Sequence, residues 1–207
     1  MTTAPKLAAT RLNLLRAQQR LERLSKGAAL LRRKREALVR ELFHLARPAA
    51  DARAAIAERI RSAYPALLRA LAARGQAGLR AAAWPGRDLL VDLRPGQVWG
   101  IPVTDIVERP VLTRSLGARG TAPARLGAAA AGAAREFEQL GELLLEAAPR
   151  EMLLQRLGQA LAQTSRQVNG LERRVTPALR QQLTNVRRTL DEREREEHVR
   201  LGRLLRR

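Results

Sequence analysis

The sequence contains no cysteine. That excludes disulfides, thiolate metal sites and cysteine nucleophiles. Aromatic residues make up only 2% of the chain, although apolar residues reach 45%. Compact cores draw much of their buried area from aromatic rings, so the apolar content, carried by Leu and Ala, argues against an ordinary globule. No apolar run approaches the ~20 residues that span a bilayer. The stretch Met1-Thr2-Thr3-Ala4-Pro5-Lys6 lacks the apolar centre of a secretory signal. Lysine is almost missing too, occurring only at Lys6, Lys26 and Lys34, so arginine supplies nearly all of the 39 basic residues.

What remains is rich in Leu, Ala, Arg and Glu, the composition of long helices. From Leu14 one apolar seam runs through Ala17, Leu21, Leu24, Ala28, Leu31, Arg35, Leu38, Leu42, Leu45, Ala49, Ala52 and Ile56. Its steps alternate three and four without a slip, which is the pattern of a left-handed coiled coil. Only Arg35 breaks it, and an arginine stem can cover apolar surface while its charge reaches water. Thr10 is a suitable N-cap. Glu22 with Lys26 and Glu36 with Arg40 have favourable i,i+4 spacing on the outer face. The pattern runs to about Arg74, where Gly75 and Gly78 end it, a rod of roughly 95 Å. Pro48 and Pro65 lie within it and are expected to kink it.

The middle, 75–123, differs. Ala81 to Gly86 reads as loop. Asp88 to Leu93 and Gln97 to Val107 read as strands joined at Arg94-Pro95-Gly96, which predicts a β-hairpin. Arg119 to Pro123 reads as an exit loop. Trp84 and Trp99 are expected to pack this small head. The last segment, 124–207, begins weakly and Ala-rich. It then shows Leu154, Leu157, Leu161, Thr164, Val168, Leu171, Val175, Leu179, Leu183, Val186 and Leu190. After Val175 come two consecutive steps of four, a stutter that locally unwinds a supercoil, and Pro177 lies inside it. Beyond Leu190 the chain is highly charged, with Asp191–Arg195 and Glu196–Arg200 spaced to support a solvated helix.

The chain therefore divides into an N-terminal coiled-coil helix (1–74), a central hairpin and loop head (75–123) and a C-terminal coiled-coil helix (124–207). The fold class is mainly α, a long antiparallel two-helix coiled coil with a small central β-hairpin. A lone amphipathic helix leaves its stripe wet, and pairing the two similar seams within one chain removes that cost. Homodimerisation is the competing solution.

Catalytic motifs are lacking. There is no G-x-x-x-x-G-K-[ST] loop and no G-x-G-x-x-G. His44 and His198 lie far apart in sequence and lack metal-ligand company. The carboxylates between Glu192 and Glu197 sit in a run that reads as a solvated helix face and not as an acid/base pair. No catalytic, cofactor-binding or metal site is expected. The formal charge of +19 suits either a polyanion or acidic protein surfaces, or it is a solvated face. Acidic residues interspersed with the basic ones, and the shortage of aromatics for base stacking, weigh against nucleic acid.

Three stretches resemble one family, the D subunit of the V/A-type rotary ATPases. Thr10-Arg11-Leu12-Asn13-Leu14-Leu15 with Lys26-Gly27-Ala28-Ala29-Leu30-Leu31-Arg32-Arg33-Lys34-Arg35-Glu36-Ala37-Leu38 is similar to that family's opening helix, with its K-G-x-x-L-L-K-x-K-R-D-x-L run. Val98-Trp99-Gly100-Ile101-Pro102-Val103 resembles its V-x-G-V hairpin segment. Arg166-Gln167-Val168-Asn169-Gly170-Leu171-Glu172, followed by Pro177 and by Glu192-Arg193-Glu194-Arg195-Glu196, resembles its R-R-V-N-A-L-E, I-P and E-R-E-R-E-E. Pro48, Pro65, Pro149 and Gly170 depart from the pattern.

The resemblance implies a non-catalytic central-stalk rotor subunit without a cofactor, present in one copy per complex. Its partners would be the A and B subunits of the catalytic hexamer, the F subunit and the ring-capping C/d subunit. It would lie peripherally on the cytoplasmic face of the membrane, without insertion. Its rotation would couple ATP synthesis or hydrolysis to proton or sodium translocation. Arg11, Arg16, Arg20, Arg195, Arg200 and Arg203 are the expected contacts with acidic sleeve residues. The alternative is a basic coiled-coil adaptor for nucleic acid or an anionic surface.

Overall fold

The first apolar stripe forms one long helix, α1, over Arg11–Ala82. Thr10 caps it, its Oγ1 accepting from the Asn13 amide at 3.2 Å, as an N-cap hydroxyl does. Helical dihedrals run through both Pro48 and Pro65, and the departure from them is at Gly75, with φ 69° and ψ 172°. A glycine adopts such a left-handed φ without the steric cost of a Cβ. Gly75 therefore interrupts the helix as expected, but the helical turn resumes to Ala82 rather than stopping. Gly78 lies within that resumed turn. The computed structural model describes residues 8–82, 89–115, 118 and 127–205. Of the loop expected over Ala81 to Gly86, Ala81 and Ala82 are helical instead, and the rest, with Trp84 and the exit loop from Arg119 to Pro123, lies outside the described residues.

A two-stranded antiparallel sheet follows, β1 over Asp92–Val98 and β2 over Ile101–Glu108. The hairpin is present, but its turn is at Trp99-Gly100 and not at Arg94-Pro95-Gly96. Pro95 pairs opposite Thr104 and Gly96 opposite Val103, inside the ladder. Trp99 and Gly100 have φ of 53° and 76°. Two successive positive φ values give a two-residue turn whose twist matches the strands it joins, whereas the turns that Pro-Gly favours would splay them. Pro95 is tolerated because each strand of a two-stranded sheet has a free edge, where a missing N–H costs no ladder bond. Trp99 is 57% exposed, so it does not pack the head. It holds a left-handed conformation that costs a non-glycine residue about 1 kcal/mol.

The Ala-rich start of the last segment forms α2, Ala128–Gly170, which carries Pro149 inside it. A π-helical turn follows at Leu171–Val175, then α3 over Thr176–Leu204. The chain resolves into two compact units, Met1–Ala37 with Leu161–Arg207 and Leu38–Ala160.

In the first unit α1 pairs antiparallel with the C-terminal helices. As the contact climbs α1 from Arg11 to Arg32, its partner descends from Glu194 to Glu172. The seam residues Ala17, Ala28, Val168, Leu179 and Val186 are buried, with Val168 only 1% exposed. Arg35 is half-buried in its seam position, as its stem requires. Val175 departs from the sequence seam: it is exposed, while Glu172 and Thr176 are half-buried. The wide turn absorbs one residue and rotates Val175 out. The Thr176 amide donates to the Leu171 carbonyl five residues back, the bond that defines a π turn.

In the second unit the ordering is also antiparallel, from Arg53 with Glu151 to Arg59 and Ser62 with Glu136. Ala66, Ala70, Ala130, Ala131 and Ala133 form a buried cluster with Leu79 against it. Small side chains let two helices approach closely, so the Ala-rich start that reads as weak in sequence is core. Leu38 and Leu157 are fully buried. The hairpin is fixed through buried Ile101 and through the Arg156 guanidinium, which donates to the Pro102 carbonyl.

The segment after β2 is tied to α2 by carboxylates one helical turn apart. Glu142 Oε1 accepts from the Leu112 amide (3.2 Å), the Thr113 amide (3.0 Å) and Thr113 Oγ1 (2.7 Å). Glu138 Oε2 accepts from the Arg114 amide at 3.1 Å. The Thr113 hydroxyl above all, then the Thr113 and Leu112 amides, hold the Glu142 carboxyl below its ordinary pKa. Because the folded pKa is depressed, this tether is complete above the unfolded value of ~4.3 and is lost as pH falls through the lower folded value. An NMR titration of the Thr113 amide should therefore show a midpoint below ~4.3, and Glu142→Gln should abolish the transition. A midpoint at the free-glutamate value would count against the tether.

Candidate functional site in the paired terminal segments

Six arginines form the predicted contact set, and all six are exposed on the first unit. Arg11 opens α1, and its Nη2 donates to Glu194 Oε1 at 2.6 Å. That bond, then the charge of the same carboxylate, raises the already high pKa of Arg11. Arg16 and Arg20 follow on α1 one turn apart. On α3, Arg195, Arg200 and Arg203 border one shallow groove with Glu196 and Val199. The structure thus brings three of the six together on one helix face and ties a fourth, Arg11, to the residue beside Arg195. An exposed pair of this kind contributes little to stability, because water screens both charges. Its value is positional, since it fixes the start of α1 against α3.

Sequence reasoning missed the residues that set this alignment. Arg193 Nη1 donates to the Ala9 carbonyl at 3.2 Å, and Arg32 bonds Glu172 across the unit. Within the charged run, helical spacing alone could not select Glu194 and Arg193 as the ones facing α1. The run itself is helical and exposed from Asp191 onward, and its Glu192 pairs with Arg188, one turn before the run, at 3.7 Å. His44 and His198 are both exposed, and among the described residues no cluster of His, Cys, Asp or Glu could hold a metal ion.

The second unit presents a different surface. Phe43, Ile60, Tyr64 and Leu68 on α1, and Phe137, Leu144 and Met152 on α2, are exposed. On α1, Phe43 and Tyr64 each lie one residue after a seam position, Leu42 and Ala63, and Leu68 lies between buried Ala66 and Ala70. Apolar side chains repeated along a helix face in this way mark surfaces that protein partners cover. Among the described residues, no helix is long and apolar enough to cross a membrane.

The comparisons agree with one another. The profile of the family described as the D subunit of ATP synthase matches residues 13–205. A V-type ATP synthase D subunit from Anaeromyxobacter dehalogenans is 41% identical over 197 residues, covering 95% of this chain and 94% of the relative. The V-type ATP synthase D subunit from Thermus thermophilus is 36% identical over 196 residues, covering 94% and 86%. The A-type ATP synthase D subunit from Pyrococcus furiosus is 32% identical over 202 residues, covering 96% and 93%. None of these supports a nucleic-acid or anionic-surface adaptor. Paired terminal helices, a central hairpin and a match from Asn13 to Leu205 lead to one assignment: the chain belongs to the family of D subunits of V-type and A-type ATP synthases.

Proposed function

We propose that this chain is the central-stalk rotor of its ATP synthase, a non-catalytic component present in one copy per complex. Segments 1–74 and 124–207 serve as the shaft and 75–123 as its head. The shaft turns inside the hexamer of A and B subunits, and its foot joins the F subunit and the ring-capping C/d subunit at the cytoplasmic face of the membrane. Its rotation couples nucleotide turnover to proton or sodium translocation. The observation that carries this reading is the family match along nearly the whole chain.

The physics of the surface supports it. A shaft biases surrounding sites only through contacts that differ between their states, which an asymmetric helix pair offers and a smooth cylinder does not. Arg11, Arg16, Arg20, Arg195, Arg200 and Arg203 meet acidic residues of the sleeve, where water-excluded charge pairs gain strength. The apolar rows at Phe43–Leu68 and Phe137–Met152 are covered by partner subunits.

Tagged chain should co-purify A, B and F subunits in rotary stoichiometry; isolation as a lone homodimer would overturn the reading. Reversing Arg195, Arg200 and Arg203 to Glu together should lower coupled turnover by at least about tenfold, each lost close pair costing roughly 1–2 kcal/mol. Unchanged assembly and turnover would remove these arginines from the contact set.

A further inference from the structure

Aromatic rings are the usual material of cores and of binding hot spots. In this chain the described ones, Phe43, Tyr64, Trp99 and Phe137, are all exposed. Three of them stand on helices, where the backbone is regular. Trp99 does not. Among the described residues it is the one non-glycine residue with a positive φ.

The turn itself has no use for this side chain. A two-residue turn with two successive positive φ values prefers Asn-Gly or Gly-Gly, and a bulky residue there is an outlier. Packing does not offset the cost, because Trp99 is 57% exposed. Among the described residues its indole N–H has no hydrogen-bond partner. Strain of this kind persists where the surroundings hold it and function uses it.

The surroundings do hold it. Val98 before the turn is half-buried, Ile101 after it is buried, and the Pro102 carbonyl accepts from the Arg156 guanidinium. The turn is fixed on both sides, so its ring is presented without the ordering cost that a loose loop adds on binding. The strand edges offer a partner less. Pro95 and Pro102 have no N–H for an added strand, and the Ile106 amide donates to Asp105 Oδ1 at 2.9 Å. Prolines blunt sheet edges in this way. A partner therefore reads this hairpin through side chains, and the largest at its tip is Trp99.

We propose that Trp99 is a binding anchor, held on a rigid turn for an apolar pocket of a partner protein that also offers an acceptor to the indole N–H. A bilayer is the poorer match. The flanking Gln97, Val98, Gly100 and Ile101 add neither a cation nor a second exposed apolar side chain with which to grip one. The anchor rests on the chain working inside an ATP synthase, but it adds a contact that the rotor reading does not contain.

Trp84→Phe leaves Trp99 as the single tryptophan of the full-length chain. Purified A/B hexamer, F subunit and C/d subunit are then added one at a time. One of them should move Trp99 emission to shorter wavelength and cut its acrylamide quenching several-fold. The same change on phosphatidylcholine–phosphatidylglycerol vesicles, or on concentrating the chain alone, would overturn the protein pocket. So would no change with any subunit, and co-purification of those subunits would then leave the rotor reading standing.

Two substitutions separate anchor from scaffold. Trp99→Asn gives the turn its preferred pair and should leave the thermal midpoint unchanged or raise it by up to about 4 °C. It should weaken binding of the responding subunit by at least about thirtyfold, the threshold of a hot spot. Trp99→Phe keeps a ring on the same turn and should lose no more than about tenfold, the worth of the missing indole hydrogen bond. Unchanged affinity in the Asn variant overturns the anchor. A clearly lowered midpoint in that variant also overturns it, since the ring would then be packing the free chain.

Discussion

Leu157→Ala is expected to destabilise the second unit by about 2–5 kcal/mol, the range for emptying a leucine site in a packed core. Leu157 and Leu38 are the largest side chains in this unit with no solvent exposure, and either truncation removes contacts that a helix pair cannot easily recover by collapse. The wide range reflects how far neighbouring side chains can close over the void. Leu30→Ala is the matched control. Leu30 is 64% exposed, so its truncation should change stability by no more than ~0.5 kcal/mol. Urea unfolding followed by circular dichroism, with hydrogen exchange to assign the loss to residues 38–160, measures both. Equal effects of the two substitutions would mean that the buried seam does not hold the helices together.

The opposite substitution should fail at the other end of the same unit. Ala70→Leu is expected to cost about 1–3 kcal/mol, because extra methylenes in a filled site force off-rotamer side chains or push the helices apart. Ala70 is fully buried among Ala66, Ala130, Ala131 and Ala133. These alanines have no alternative rotamer with which to make room. Ala57→Leu on an exposed position of α1 should be close to neutral, since helix propensity barely distinguishes Leu from Ala. Thermal unfolding of the two variants side by side decides it. A stable Ala70→Leu protein would show that the alanine layer is loosely packed. The pair of experiments also shows that one hydrophobic stripe contains two kinds of site, one that needs volume and one that forbids it.

Much of this was legible in the order of the residues. The three-four rhythm from Leu14 to Ile56 needs no partner to be read, because a helix fixes which positions share a face. Every one of those positions is buried or half-buried, Arg35 included. Thr10 as cap and Glu22 with Lys26 as a pair at 2.7 Å follow from local geometry alone. The resemblance carried by Val168-Asn169-Gly170-Leu171-Glu172 and Pro177 pointed to the family that the comparisons then established.

The misreadings share a cause. Pro95-Gly96 is the stronger turn signal by local propensity, yet the twist of two paired strands favours a turn of opposite hand at Trp99-Gly100. Ala128 to Ala134 is unremarkable as an isolated helix start, and it is core only because a second helix lies close against it. Val175 fits the sequence seam, but the eleven steps from Val168 to Leu179 carry one residue more than the three-four rhythm, and the π turn that absorbs it leaves Val175 outside.

The sequence by itself determined that two amphipathic helical segments flank a β-hairpin, and which residues of the first segment face inward. Periodicity and capping are properties of one chain segment, and both survive without knowledge of what packs on it. Tertiary structure alone decided how the two helices align, through Arg11 with Glu194 and Arg32 with Glu172. It also decided where alanine is required and which way the stutter resolves. These depend on distances between segments far apart in sequence, and no local pattern encodes such a distance.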